Sequence, residues 1–402
     1  MNTIATPSLN SVPTEAELLR RARDLIPMLR EKANSVEQNR MVSSETIAAF
    51  VEAGFFRILQ PKRYGGWEMN PAVFYKVLME LGRGCPSSAW NMMILGIHNW
   101  EFGSMPDQAC EDVWGVDDAT IIASSYPPFG KVEEVEGGYK ISGTWKTSSG
   151  CNHGKWAFLG GLRRDASGQI IDRLSMLVPC ESWVIEDDWH VFGLAGTGSK
   201  SLVIKEAFVP YHRAHSLIDY KHTERGDMYL YPFNQVFFGA VSAVIVGMAQ
   251  GGVDEYIAQM TVRTDTTGGA PAALSPYVKD RLGNAVNRVR TARARLLQMM
   301  ADTTEYVERR ELVPTFDRVH HMLDIARVGR ECEEAVMLLF KATSARGIYL
   351  SNPMQRILRD VIAAANHITQ NADDTAGMLG GYLLGQQIPP LVFSLEAVSL
   401  NG

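Results

Sequence analysis

The sequence predicts a three-part α–β–α architecture: an α-helical N-terminal domain over residues 1–118, a central β-barrel or sandwich over 119–225, and a C-terminal four-helix bundle over 226–402. Two observations carry this. Apolar residues recur at helical spacing in both outer parts, and between them the period switches to alternation broken by Gly and Pro. The length of 402 residues accommodates that many units at about 100–200 residues each.

In the first part, Thr14 and Glu17 form a T-x-x-E capping box ahead of LLRRARDLIPMLREKA. A second helix, SETIAAFVEAG, closes on Gly54, a residue suited to the C′ position. FYKVLMELGRG and SSAWNMMILGIHNW supply two more helices. In the middle, YKISGTWKT puts Tyr139, Ile141 and Gly143 on one face, and RLSMLVP alternates Leu174, Met176 and Val178. Beyond residue 226, Leu282, Ala285, Val286, Val289, Ala292, Leu296, Met299 and Met300 line one stripe, and Phe316 to Ala345 behaves alike. Long helices of this kind without internal proline fit a bundle. The apolar run FFGAVSAVIVGMA falls short of the roughly 18 residues a membrane span needs, so a buried helix is expected.

Composition excludes several classes. A hydrophobic fraction of 46% with 21% charged residues is that of a globular protein with a sizeable core. The net charge of -6 and pI near 5.9 argue against nucleic acid and anionic membranes as partners. Five scattered cysteines show no CxxC spacing, which points away from zinc or a disulfide framework and towards a reducing cytoplasm. The N-terminal MNTIATPSLNSVPTEAE lacks the basic and apolar regions of a signal peptide. GLAGTGSK is a poor P-loop, because S-K replaces G-K-[ST] and no β-α context follows. Cys151 and His153 share a strand side without a third orienting group, and His320 and His321 lack a carboxylate at metal-ligand spacing. No metal is expected.

Four segments are shared, in order, with a known family. EAGFFRILQPKRYGGWEMNP, GGYKISGTWKTSSGCNHGKWAFLGG, HVFGLAGTGSKSLVIKEAFVPYHRA and the C-terminal NPMQRILRDVIAAANHITQN resemble the acyl-CoA dehydrogenase superfamily over nearly the whole chain. The resemblance implies an acyl-CoA dehydrogenase-like fold and a bound flavin. In the family's main branch, a glutamate in the C-terminal segment abstracts the substrate's α-proton. Here Ile368 stands at that position, with His367 beside it. Isoleucine cannot take a proton, so a different reaction on the same scaffold is expected. The chain is most similar to the flavin-dependent monooxygenase branch of two-component systems, such as the oxygenase components acting on 4-hydroxyphenylacetate and phenolic seco-steroids, and dibenzothiophene monooxygenase.

The resemblance also assigns candidate residues. The strand pair lying against the isoalloxazine ring carries Trp145, Ser148 and Ser149, with Ser149 at the hydroxyl position facing flavin N5 and Ser148 and Thr147 as neighbours in register. Ser175 on the next strand is an alternative N5 partner. Gly196, Thr197, Gly198 and Ser199 would set N–H groups and hydroxyls beside the flavin, although Ala195 replaces a frequent arginine. Arg263 matches an arginine that binds flavin phosphate, often across a subunit interface, but TDTTGG follows it in place of the usual fG. His367 and His98 are the catalytic candidates, against packing roles for each.

The implied activity is hydroxylation of a small aromatic, most simply phenolic, substrate using O₂ and reduced FMN or FAD. No G-x-G-x-x-G lies between a strand and a helix, so a separate NAD(P)H:flavin reductase would supply the reduced flavin. In this scheme a serine hydroxyl slows loss of H₂O₂ from the flavin hydroperoxide, and His367, at an ordinary pKa of about 6.5, draws off the phenol proton. A homotetramer built through the C-terminal bundle is implied as well. Two rivals stand beside this reading. One is an acyl-CoA dehydrogenase with its base moved to Asp360 or Asp373; the other is a non-catalytic flavin-binding oligomer.

Overall fold

The computed structural model describes residues 12–217, 226–264 and 269–387. Residues 1–11, 218–225, 265–268 and 388–402 lie outside that description.

Five helices open the chain: α1 (Glu15–Asn39), α2 (Ser44–Glu52), α3 (Pro71–Gly82), α4 (Pro86–Gly103) and α5 (Asp107–Val113). The Thr14 cap is in place, its Oγ1 accepting from Glu17 N at 3.2 Å. The Glu17 carboxylate turns instead to Arg20 and Arg21, so the reciprocal half of the capping box is not made. α3 and α4 start on proline and are buried on nearly every face, so α4 carries polar residues into the interior.

Eight strands follow: β1 (Ile122–Ser125), β2 (Lys131–Val135), β3 (Gly138–Ser148), β4 (Trp156–Arg164), β5 (Ile170–Pro179), β6 (Val184–Glu186), β7 (Lys200–Pro210) and β8 (Ala214–Ser216). They form two four-stranded sheets, in the orders β1-β4-β5-β8 and β2-β3-β7-β6. The sheets pack on each other through β1 with β3 and β2 with β4, which makes a sandwich. β3 pairs antiparallel with β7 but slips register between Trp145 and Ser148, where Thr147 takes φ +61°. This bulge turns the end of β3 towards α4.

The chain then returns to helices: α6 (Phe233–Val262), α7 (Pro276–Glu308), α8 (Thr315–Ala342), α9 (Pro353–Ala365) and α10 (Ala372–Leu383). α6 is the centre of the bundle and packs on α3, α7, α8 and α9. By length and mean hydropathy it would suffice to cross a membrane, which corrects the shorter run read from the sequence. However, 89% of its most apolar window is buried by the rest of the chain, as expected of a core helix.

Candidate active site

Two polar clusters lie along α4, eight residues or about 12 Å apart. Leu95, between them, lies against the position of Gly150 just beyond β3.

The first cluster is built of hydroxyls. Ser149 Oγ accepts from Trp90 Nε1 at 3.2 Å and bonds Ser199 Oγ at 2.7 Å, and Thr197 Oγ1 bonds Ser199 Oγ at 2.7 Å. Gly150 N donates to Thr197 O at 3.0 Å, tying the end of β3 to the turn that holds Gly196–Ser199. That turn is sharp: Leu194 and Gly198 both adopt left-handed φ, +54° and +57°. Asp360 on α9 holds it, accepting from Leu194 N at 2.6 Å. Burial raises the Asp360 pKa to about 7 despite that bond. The Trp90 ring meets His367 edge-on, with centroids 5.6 Å apart.

The second cluster surrounds Glu101, whose side chain is fully buried on α4. His215 Nε2 lies 2.8 Å and the Ser175 hydroxyl 3.1 Å from Oε1; His98 Nδ1 lies 3.2 Å from Oε2, which Tyr126 also reaches with its hydroxyl. Burial pushes this carboxyl upward, but hydrogen bonds from His215 and His98 outweigh it and hold the pKa at about 2. The Tyr126 hydroxyl, 3.1 Å from His98 Nδ1, gives its proton to Oε2, and since a carboxylate can only accept, the Nδ1–Oε2 contact places a proton on Nδ1. Its Nε2 is buried and without a partner among the described residues, and in the neutral ring it presents a lone pair. The rings of Tyr126, Phe158 and Phe237 fix the imidazole.

The sequence candidates are therefore sorted by the fold. Ser149, Gly196, Thr197, Gly198 and Ser199 come together with Trp90 and His367. Ser175 joins His98 instead, and its hydroxyl is committed to Glu101. Trp145 needs correction: its indole is buried in the sandwich, with Nε1 donating to Gly160 O at 2.7 Å, so it offers a ligand no polar contact. Arg263 caps α6 and donates to Thr343 O at 3.3 Å, away from both clusters within this chain. His367 is not helical, because α9 stops at Ala365 and His367 caps the short turn Ile368–Gln370. Its pKa is also not the ordinary one, since burial lowers it to about 4. Ile368 is 84% exposed. Of the two relocated-base candidates, Asp360 is committed to Leu194 N and the Asp373 side chain stands in solvent. Sequence reasoning missed Trp90, Glu101, Tyr126 and His215. Only Glu101 left a sign, as a carboxylate one helical turn after His98 on an otherwise apolar helix.

The groups fit a flavin. The Ser148 hydroxyl and both amide atoms of Asn91 are buried without a partner among the described residues. A buried polar group left unpaired costs about 1–3 kcal/mol, so a neutral, hydrogen-bonding ligand such as the flavin ring edge would relieve them. No group of three or more His, Cys, Asp or Glu among the described residues could hold a metal.

Comparison with known proteins agrees. Residues 13–105 match "Acyl-CoA dehydrogenase, N-terminal domain" and residues 240–372 match "Acyl-CoA dehydrogenase, C-terminal domain". The chain belongs to the acyl-CoA dehydrogenase family. Within it the chain is similar to flavin-dependent monooxygenases. It is 34% identical over 371 residues to the oxygenase subunit HsaA of a flavin-dependent monooxygenase from Rhodococcus jostii (strain RHA1), covering 90% of this chain and 97% of that one. It is 32% identical to the oxygenase component of the FADH(2)-dependent resorcinol hydroxylase of Rhizobium sp. (strain MTP-10005), covering 92% and 94%. The crystal structure of 3-HSA hydroxylase from Rhodococcus sp. RHA1 superposes with a TM-score of 0.89 at 33% identity, covering 95% of this chain and 99% of that one. The expected fold and branch are thereby borne out.

Proposed function

We propose that this chain is the oxygenase component of a two-component monooxygenase that hydroxylates a small phenolic substrate. It would receive reduced FMN or FAD from a separate NAD(P)H:flavin reductase and work as a homotetramer in the cytoplasm. The observation that carries this reading is the buried Nε2 of His98, whose ring Glu101 holds about 12 Å along α4 from the hydroxyl cluster. A reduced flavin, when bound, supplies the oxygen-activating chemistry.

The chain's residues do the rest. His98 Nε2 takes the phenol proton, which makes the ring carbons more nucleophilic. The resulting imidazolium is stabilised by the carboxylate of Glu101 at Nδ1. Ser149, Thr197 and Ser199 would hold the flavin through its polar edge, and the apolar walls of α4 and α6 would keep water from it. This reading moves the base from His367, the sequence expectation, to His98.

The test is anaerobic mixing of the protein with reduced FMN or reduced FAD, followed by oxygenated buffer and a panel of phenols. Flavin oxidation slower than that of free flavin, with one hydroxylated product per flavin for some phenol, is expected. Oxidation at the free-flavin rate with only H₂O₂ formed would refute it.

A further inference from the structure

His367 lies beside Trp90 and opens onto a surface cleft of about 340 Å³. What it offers a ligand there depends on which ring nitrogen carries the proton. A chain of hydrogen bonds running back into the bundle decides this.

The chain starts at a group whose direction is unambiguous. The backbone N–H of Gly329 on α8 can only donate, and it points at Gln370 Oε1 at 3.1 Å. A Cβ at 329 would sit 2.7 Å from that oxygen and push the amide aside. The Gln370 amide is therefore oriented, and its Nε2 faces Ser242 Oγ at 3.0 Å and Thr369 Oγ1 at 3.1 Å. Ser242 directs its own proton to Ile325 O at 2.9 Å, a carbonyl that can only accept. Thr369 Oγ1 accepts from Gln370 on one lone pair, and His367 Nδ1, 2.9 Å away, is the acceptor that its own proton meets among the described residues. The backbone N–H of Thr369 is aimed at the same nitrogen at 3.4 Å. Two donors thus converge on Nδ1. Ser242, Thr369 and Gln370 are all buried, so water does not compete for these bonds.

We propose that Gln370, acting through Thr369, is a positioning residue that holds His367 as the Nε2–H tautomer, so that His367 presents a hydrogen-bond donor to an anionic oxygen such as a phenolate. This deepens the functional reading above, on which the identity of that oxygen rests. Neutrality of the ring agrees with its lowered pKa. The two histidines are then complementary: His98 offers a lone pair and His367 an N–H.

The experiment is solid-state ¹⁵N NMR of the histidine-labelled full chain, without flavin or substrate, with the His367 signals identified by their loss in His367→Asn. The expected result is a protonated, pyrrole-like Nε2 and a bare, pyridine-like Nδ1. Thr369→Ser should preserve that pattern and Thr369→Val should lose it. In Gln370→Glu at mildly alkaline pH the carboxylate would accept the Thr369 proton, Thr369 Oγ1 would then accept from the ring, and the proton should move to Nδ1. A wild-type His367 protonated at Nδ1, or a Gln370→Glu spectrum with Nε2 still protonated, overturns the proposal. Because no ligand is present, failure of phenol hydroxylation with the tautomer as described would count against the functional reading alone.

Discussion

Replacing Glu101 with glutamine tests the centre of the site with almost no change in shape. Four side chains among the described residues donate to its two oxygens, two on each. Glutamine keeps one oxygen and turns the other into an –NH₂. The orientation that leaves His215 and Ser175 on the oxygen presents the –NH₂ to His98 and Tyr126, so two charge-assisted bonds are lost. Each is worth about 1.5–3 kcal/mol, and rearrangement returns part of it, so Glu101→Gln should cost about 3 kcal/mol of stability. The functional effect should be larger than the stability effect. His98 Nδ1 becomes an acceptor, the ring proton shifts to Nε2, and the nitrogen offered to the phenol changes from base to donor. Loss of a positioned base typically removes about 10²–10⁴ in rate. The assays are urea unfolding and product formation with reduced flavin, under conditions where the variant is folded. A Glu101→Gln protein with wild-type stability and wild-type hydroxylation would refute the assignment of His98 as base and Glu101 as its orienting partner.

Other consequences are separately measurable. His98→Asn should lower hydroxylation by about 10²–10⁴ while leaving flavin binding, read by fluorescence quenching, within a few-fold of wild type. Ser149→Ala should cost only about 0.5–1.5 kcal/mol in stability but raise the H₂O₂ released per flavin, measured with peroxidase. Asp360→Leu should cost about 1–3 kcal/mol by leaving Leu194 N–H unpaired, and should weaken flavin binding through the 194–199 turn. Burial lowers the pKa of His321 to about 4, so its contribution to stability is complete above about 6.5 and lost as pH falls towards 4, where the unfolded chain binds the proton and the native one does not. His321→Phe should flatten that part of the stability–pH curve; an unchanged slope would argue against a neutral buried His321.

The sequence by itself determined the order of the three layers, the family and the hydroxyl-rich strand and turn. These are local signals: a change of hydrophobic period, a cap at Thr14, a glycine-bearing turn at 196–199. The resemblance also implied that Ile368 stands where the family's main branch carries its proton-abstracting glutamate. Only the tertiary structure decided which polar residues share a site. Ser149 and Ser175 looked interchangeable along the chain, but the Thr147 bulge sends one to Trp90 and Ser199 while the pleat of β5 sends the other to Glu101. Trp145 belonged to the right strand but to its core-facing side. Glu101 and His215 lie more than a hundred positions apart, and Gly329 and Gln370 more than forty, so no periodicity links them. Hydrogen-bond direction, and with it the protonation of each histidine, depends on donors brought together from different layers of the fold.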